Sequence, residues 1–216
     1  MIKNDGAIGL AVLFAAWTTG AVAAEMPMAL DQYTHTPEHM AAVMTHVRPY
    51  FAVIPSCTPG TAKRIKLIPM GPITFNPDGS LLKGQWREVI KVDGCVNSGL
   101  FNVMTVTDAA GAVHVVGLLA GTTIADPQLS RDGIGYAVTT AAALAARKGE
   151  PAGCRQINVL DTVFITFGGV VSKATVPGRD PRSWTESWTL KVCATQLAVK
   201  MTFVPDATGA SVVASE

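Results

Sequence analysis

The sequence predicts an α+β protein with an internal tandem duplication, in which each unit is one helix packed on an antiparallel sheet of about four strands. Three observations predict this class: an internal repeat, a helical segment followed by alternating segments in each half, and four cysteines placed alike in both halves. The stretches GQWREVIKVDGC (84–95) and RSWTESWTLKVC (182–193) carry the repeat. Their shared positions are 98 residues apart: Trp86 and Trp184, Glu88 and Glu186, Cys95 and Cys193.

The repeat extends beyond the tryptophan motif and indicates where the units begin and end. Three further pairs recur, the last with a slip of one residue: Asp108 and Asp206, Gly111 and Gly209, Cys57 and Cys154. A fixed spacing of this size indicates two domain-sized units rather than a solenoid. We expect a first unit over residues 25–121, a linker over residues 122–132 and a second unit over residues 133–216.

The first 24 residues have the pattern of a secretory signal peptide. Lys3 gives a positive start, residues 7–17 are apolar, and the small residues at 21–24 suit cleavage by signal peptidase. The mature chain is then expected in a periplasm or outside the cell, with no membrane span left after signal removal. An uncleaved membrane anchor is the alternative, because residues 7–24 carry no charge.

The first unit opens with a predicted helix. Thr36 is suited to cap it and Pro37 to occupy its first position, while Pro49 is expected to end or kink it. Apolar residues recur at helical spacing at Met40, Val43, Met44 and Val47.

The second unit also opens with a predicted helix. Ser130 or Asp132 is expected to cap it, the helix then runs from about Gly133, and Gly149 and Pro151 stop it. Its apolar face is formed by Ile134, Ala137, Val138, Ala141 and Leu144.

Alternating segments after each helix predict the strands. Turn signals at residues 76–79 and 177–181 separate them. The predicted strands are 64–69, 86–93, 100–107 and 113–119 in the first unit, and 158–167, 184–192, 197–204 and 210–213 in the second. A helix on one face of such a sheet gives a two-layer unit.

The motif strand places a glutamate on an apolar face in each unit. Trp86 and Glu88 share a face with aliphatic residues, as do Trp184 and Glu186, because side chains alternate along a strand. An unpaired buried carboxylate is costly. We therefore expect each glutamate to have a bonding partner or to lie at a sheet edge with water.

Four cysteines in an exported chain predict two disulfides. One bridge per unit is favoured, Cys57 with Cys95 and Cys154 with Cys193, because an ancestral single unit would need its own closed bridge. The other two connectivities stay open. Metal binding by the cysteines is the competing interpretation, but the chain has no C-x-x-C pair.

Composition and missing motifs narrow the function classes. A net charge of +1 without any Lys/Arg-rich run argues against nucleic acid as a partner. There is no G-x-S-x-G motif, no P-loop and no haem-attachment motif, so no cofactor is expected.

Three constellations are candidates for chemistry. Residues 35–39 match H-x-x-E-H, but a helix start at Thr36 would leave His35 outside the helix, so we interpret the stretch as an exposed helix cap. Glu88 or Glu186 with His114 could serve acid–base catalysis. Thioether and imidazole groups near the N-terminus are suited to bind copper: Met26, Met28, His35, His39, Met40, Met44 and His46.

The doubled outline of one helix and four strands resembles cystatin-like modules and two-unit secreted inhibitor proteins. This resemblance implies a two-layer fold, and a fold does not fix a function. The leading hypothesis rests instead on the duplication, the near-neutral charge and the lack of a catalytic constellation: an exported, non-catalytic binding protein with a protein or peptide partner. An extracytoplasmic enzyme and a periplasmic copper-binding protein are the alternatives.

Overall fold

The computed structural model describes residues 28–54, 60–94, 99–151, 154–171 and 180–216. The helices are α1 (Met28–Thr34), α2 (Pro37–Val53) and α3 (Pro127–Arg147). The strands are β1 (Ala62–Pro69), β2 (Thr74–Phe75), β3 (Leu81–Lys83), β4 (Gln85–Val92), β5 (Leu100–Thr107), β6 (Val113–Gly117), β7 (Ile157–Val170), β8 (Arg182–Val192), β9 (Thr195–Asp206) and β10 (Gly209–Ser215). None of the described helices combines the length and apolarity needed to cross a bilayer.

Two four-stranded antiparallel sheets account for most of the fold, as predicted. The first has the strand order β1-β4-β5-β6, and the second has the order β10-β9-β8-β7. A separate two-stranded hairpin, β2–β3, lies in the chain between β1 and β4. The protein is therefore a mixed helix-and-sheet structure with antiparallel sheets.

Helix α2 covers one face of the first sheet through its β-branched stripe. Val43 and Val47 are fully buried and pack in one cluster with Ile90, Phe101 and Val103 from the central strands. Thr36 caps this helix as predicted, because its side chain accepts a hydrogen bond from the His39 backbone N–H.

Helix α3 covers one face of the second sheet through small residues. Ala137, Ala141 and Ala145 are buried in one cluster that also contains the inward side chains of β8 and β9. The short alanine side chains leave room for large side chains on the facing sheet, above all Trp188 and Phe203.

The prediction of one helix per unit is wrong for the first half. Helix α1 precedes α2, and the two are separated by His35 and Thr36. Pro49 does not end α2, which continues to Val53.

The start of α3 also differs from the prediction. Asp126 is the N-cap, accepting a hydrogen bond from the Leu129 backbone N–H, and Pro127 is the first helical residue. Neither Ser130 nor Asp132 caps the helix, and it does not start near Gly133. The second half of the predicted linker is therefore helical.

The segment between the sheets is bonded to both of them. Asn102 of β5 donates to the carbonyl oxygens of Leu119 and Gly121, at 2.7 and 3.0 Å. Thr162 of β7 donates to the carbonyl oxygen of Ala120 at 2.6 Å. Gly121 has a φ of 102°, and a Cβ there would lie 2.0 Å from the Thr162 carbonyl oxygen, so only glycine fits.

Apolar and polar side-chain contacts also join the two halves. Leu160 of β7 is buried in the cluster formed by α2 and the first sheet. Arg87 of β4 donates to the Asn102 side chain and to the Thr123 carbonyl oxygen. Burial lowers the pKa of the Arg87 guanidinium, and the negative charge of Glu186 from the second sheet opposes that shift.

One disulfide is present among the described residues. Cys154 and Cys193 are bonded, as predicted for the second unit, and join the chain after α3 to the end of β8. Cys57 and Cys95 lie outside the described residues, so their pairing stays a prediction.

We predict that Cys154→Ser and Cys193→Ser lower the free energy of unfolding equally, by about 4 kcal/mol in the chain-entropy model. The bridge spans 39 residues, which sets the entropy restored to the unfolded chain. Urea unfolding of both single variants and the double variant measures this. A double variant much less stable than either single one would contradict the prediction.

Candidate functional site

The Trp-x-Glu motif forms one buried centre in each sheet, which we call the first and second tryptophan–glutamate centres. In the first, Trp86 and Glu88 lie side by side on the inner face of β4, and both are fully buried. In the second, Glu186 is fully buried on β8 between Trp184 and Trp188. The alternation expected from the sequence is confirmed on both strands.

The second centre satisfies its carboxylate on both oxygens. The indole N–H of Trp184 and the backbone N–H of Ile124 donate to Glu186 Oε1, each at 3.0 Å. The indole N–H of Trp188 donates to Oε2 at 2.8 Å. Three donors around a buried carboxylate replace the water it has lost, so Glu186 has the contacts of a structural residue.

The first centre satisfies only one of its carboxylate oxygens. Glu88 Oε1 accepts from the Trp86 indole N–H at 2.9 Å and lies 2.6 Å from His39 Nε2. Glu88 Oε2 is buried without a hydrogen-bond partner. Burial, and next the charge of Glu88, raise the pKa of the Tyr33 phenol.

His39 is the partner of Glu88, a contact that the sequence patterns did not predict. It lies in the first turn of α2, on the buried stripe that continues through Val43 and Val47. Its side chain is only 1% exposed. The spacing of four residues between His39, Val43 and Val47 indicates that His39 shares their buried face, but only the fold shows that the His39 ring contacts Glu88.

Three polar atoms on the inner side of the first sheet are buried and have no hydrogen-bond partner among the described residues. They are Glu88 Oε2, His39 Nδ1 and Thr105 Oγ1. Thr105 lies opposite Trp86 on β5, so it shares the inner face of the sheet with Glu88. Buried atoms of this kind are rare in native proteins and are costly to leave unpaired.

A cleft of about 410 Å³ adjoins the first centre, and we call it the α2–β6 cleft. His39 lies on its wall, together with Tyr33 and the β6 residues Val113 and Val115. Val115 is the cross-strand neighbour of Thr105. The remaining lining residues are Thr36, Glu38, Ala42, Thr45 and His46.

A second concave site of about 330 Å³ adjoins the second centre, and we call it the Trp184 pocket. Trp184 stacks on the buried Phe203 with ring centroids 4.8 Å apart. Phe167 and Ile124 contribute apolar walls that are 37% and 45% exposed. The other lining residues are Asp126, Leu129, Asp180, Pro205 and Gly209.

The charges at the Trp184 pocket are already engaged. Arg182 bonds Asp180 and holds the pKa of that carboxyl at about 2. The Arg182 guanidinium also lies 3.9 Å from the centre of the Phe167 ring. The Asp126 carboxylate accepts the capping bond of α3. The pocket therefore presents mainly an apolar surface.

The predicted catalytic set does not meet in one place. His114 pairs with Val106 on the outer face of the first sheet, whereas Glu88 faces inward. The His114 ring is half exposed and bonds the Asp108 carboxylate at 2.8 Å. Glu186 belongs to the other sheet.

Among the described residues, the N-terminal histidines and methionines have separate contacts. His35 contacts Asp31 and Arg64, His39 bonds Glu88, and Met44 packs against the core of the first half. Met26 lies outside the described residues, Met28 opens α1, Met40 is half-buried and His46 lines the α2–β6 cleft. Within the described ranges, no group of three or more His, Cys, Asp or Glu side chains is arranged to hold a metal ion.

The H-x-x-E-H stretch is a helix start, as interpreted, but it is not wholly exposed. Thr36 caps α2, Pro37 is in its first turn and His35 lies outside it. His39, in contrast, is buried.

Comparison of the chain with protein-family models, with curated proteins and with solved structures found no match.

We predict that Glu186→Ala lowers the free energy of unfolding by roughly 3 kcal/mol or more, because three N–H donors lose their acceptor. Trp188→Phe removes one donor to a charged acceptor and should cost about 2 kcal/mol for that bond, in addition to the packing lost with the fully buried indole. Urea unfolding measures both, with the exposed Glu216→Ala as the control. Equal stability of Glu186→Ala and Glu216→Ala would refute a bonded, buried carboxylate.

Proposed function

We propose that this chain is an exported, non-catalytic binding protein built from two copies of a helix-on-sheet unit. The Trp184 pocket is its binding site, and the ligand is an apolar side chain presented by a protein or peptide partner. The observation that carries the proposal is that Trp184, half-buried, borders a concave and mainly apolar pocket formed by the described residues, whereas Trp86 is fully buried.

Equivalent burial in the two helices supports the duplication. Each of the three buried residues of α2 has a buried counterpart in α3 98 residues later, the spacing that also relates the two motif strands: His39 and Ala137, Val43 and Ala141, Val47 and Ala145. Helices α1 and α2 together then correspond to the single helix α3. The break at Thr36 and Pro37 explains the extra helix in the first half.

In the first half, aliphatic and aromatic side chains of the chain itself pack against Trp86. Trp86 packs in a cluster with Leu30 and Leu81, and Ile73 and Phe75 pack against them. Leu81 and Phe75 belong to the β2–β3 hairpin. Gly84 joins β3 to β4, and a Cβ there would lie 2.8 Å from the Trp86 ring, so the backbone that follows the hairpin passes close to the indole.

The second half has no such hairpin among its described residues. Trp184 is only half-buried there and borders the pocket with Phe167 and Ile124. A concave, mainly apolar site with aromatic walls is the usual form of a binding pocket. The side chains that pack on Trp86 are aliphatic and aromatic, and this is the chemistry we propose for the group that a partner presents to the Trp184 pocket.

The signal-like first 24 residues and the Cys154–Cys193 disulfide support export. A binding role is favoured over catalysis because the predicted catalytic residues lie on opposite faces and in different sheets.

We predict that the neutral apolar fluorophore N-phenyl-1-naphthylamine binds the mature chain saturably at the Trp184 pocket. Phe167→Ser and Ile124→Ser should each weaken binding by at least about tenfold, since each removes an apolar wall. Probe fluorescence measures the affinity.

The controls are Leu82→Ser and Val213→Ser, which change exposed apolar residues elsewhere and should leave probe affinity unchanged. Circular dichroism confirms that each variant is folded. No saturable binding by the folded wild-type chain, or equal affinity in all four variants, would contradict the proposal.

A further inference from the structure

A cleft of about 460 Å³ lies on the outer face of the first sheet, and we call it the Arg87 cleft. Its walls are side chains of β1, β4 and β5 and the segment between the two sheets. Arg87 and Val89 alternate along β4 with the inward Glu88, and their cross-strand neighbours on β1 are Ile68 and Lys66. The cleft is therefore on the face opposite to the first tryptophan–glutamate centre.

Among the described residues, Arg87 is bonded by neutral acceptors alone. Its Nε–H and an Nη2–H donate to the Asn102 side-chain oxygen at 3.1 and 2.8 Å. Nη2 also donates to the Thr123 carbonyl oxygen at 3.0 Å. A guanidinium has five N–H donors, and the two on Nη1 have no hydrogen-bond partner in this part of the chain. Arg87 therefore brings a charge and two unused donors to a cleft that it lines.

The Glu186 carboxylate is close to Arg87 but is separated from the cleft by a peptide unit. The C=O of the Thr123–Ile124 peptide accepts from Arg87, and its N–H donates to Glu186 at 3.0 Å. Because the C=O and N–H of a trans peptide point in opposite directions, Arg87 and Glu186 lie on opposite sides of it. The Glu186 charge acts on Arg87 from there, but its carboxylate accepts from three other donors and does not line the cleft.

The rest of the lining combines a second cation with apolar walls. Lys66 is the diagonal neighbour of Arg87 across β1 and β4, a separation of roughly 7–8 Å that two long side chains can bridge. The described lining contains no Asp or Glu. Ile65 and Ile124 are 53% and 45% exposed. The other apolar lining residues are Ile68, Val89 and Leu100.

We propose that the Arg87 cleft binds a small aliphatic carboxylate, with its head group at Arg87 and Lys66 and its hydrocarbon chain along Ile65 and Ile124. A carboxylate accepts charge-assisted hydrogen bonds from a guanidinium and an ammonium, and the aliphatic walls bury the chain. The volume is within the usual range for small-molecule sites. The cleft shares Ile124 with the Trp184 pocket, but the proposal does not depend on that pocket.

The first test measures binding of hexanoate to the folded mature chain by isothermal titration calorimetry, and saturable binding is expected. Hexanamide has the same chain without the charge, and acetate has the head group without most of the chain. Both should bind at least about tenfold more weakly. No heat from hexanoate at millimolar concentrations, or an affinity no higher than that of hexanamide, would overturn the proposal.

The second test changes the two ends of the site separately, at exposed residues whose replacement leaves the fold intact. Lys66→Gln removes a charge and Ile65→Ser removes an apolar wall, and each should weaken hexanoate binding by at least about threefold. The matched controls on β3 are Lys83→Gln and Leu82→Ser, since Leu82 is 55% exposed and neither residue lines the cleft. Both controls should bind hexanoate as the wild type does.

A third variant separates this site from the Trp184 pocket. Phe167 lines that pocket and not the Arg87 cleft, so Phe167→Ser should leave hexanoate affinity unchanged. Lys66→Gln should likewise leave binding of N-phenyl-1-naphthylamine unchanged, so the two proposals fail independently. Wild-type hexanoate affinity in folded Lys66→Gln and Ile65→Ser, or its loss in Phe167→Ser, would sink the assignment.

Discussion

A glutamate held by indole N–H groups on an otherwise apolar sheet face is the constraint on which both halves depend. A buried carboxylate is tolerated only when donors replace its water. Trp86 and Trp188 supply donors from the neighbouring inward positions of the same strand, so local sequence provides part of the solution. The remaining contacts to the two glutamates come from a backbone N–H of the connecting segment and from a side chain of α2. These contacts join both elements to the sheets.

The two centres differ in how completely this constraint is met. The second glutamate accepts from three donors, and the Trp184 pocket adjoins it. In the first, side chains of the β2–β3 hairpin pack on Trp86, and Glu88 Oε2 has no hydrogen-bond partner among the described residues. One cause of the difference lies in the strand itself, because Trp188 donates to Glu186, whereas the position 98 residues earlier is Ile90, which has no donor.

Local patterns predicted the elements well because their causes are local. Alternation placed Trp86 and Glu88 on the inner face, and Thr36 with Pro37 marked the start of α2. The same cap-and-proline pattern at Asp126 and Pro127 marks the start of α3, but it was interpreted as a linker. The partner of Glu88 was not predictable in this way, since His39 lies 49 residues away in sequence, and only packing of α2 brings it to 2.6 Å. Contacts between halves, such as Leu160 in the first core, likewise depend on the tertiary arrangement.

Hydrogen exchange of the indole N–H groups tests the central claim most directly. In native-state NMR of the mature chain, Nε1–H of Trp86 and Trp188 should exchange at least about a hundredfold more slowly than in the unfolded chain, because both bond a buried carboxylate. Protection of both groups would support the indole–carboxylate account of the two sheets. Exchange of either at the unfolded rate, in a chain whose backbone amides are protected, would contradict it.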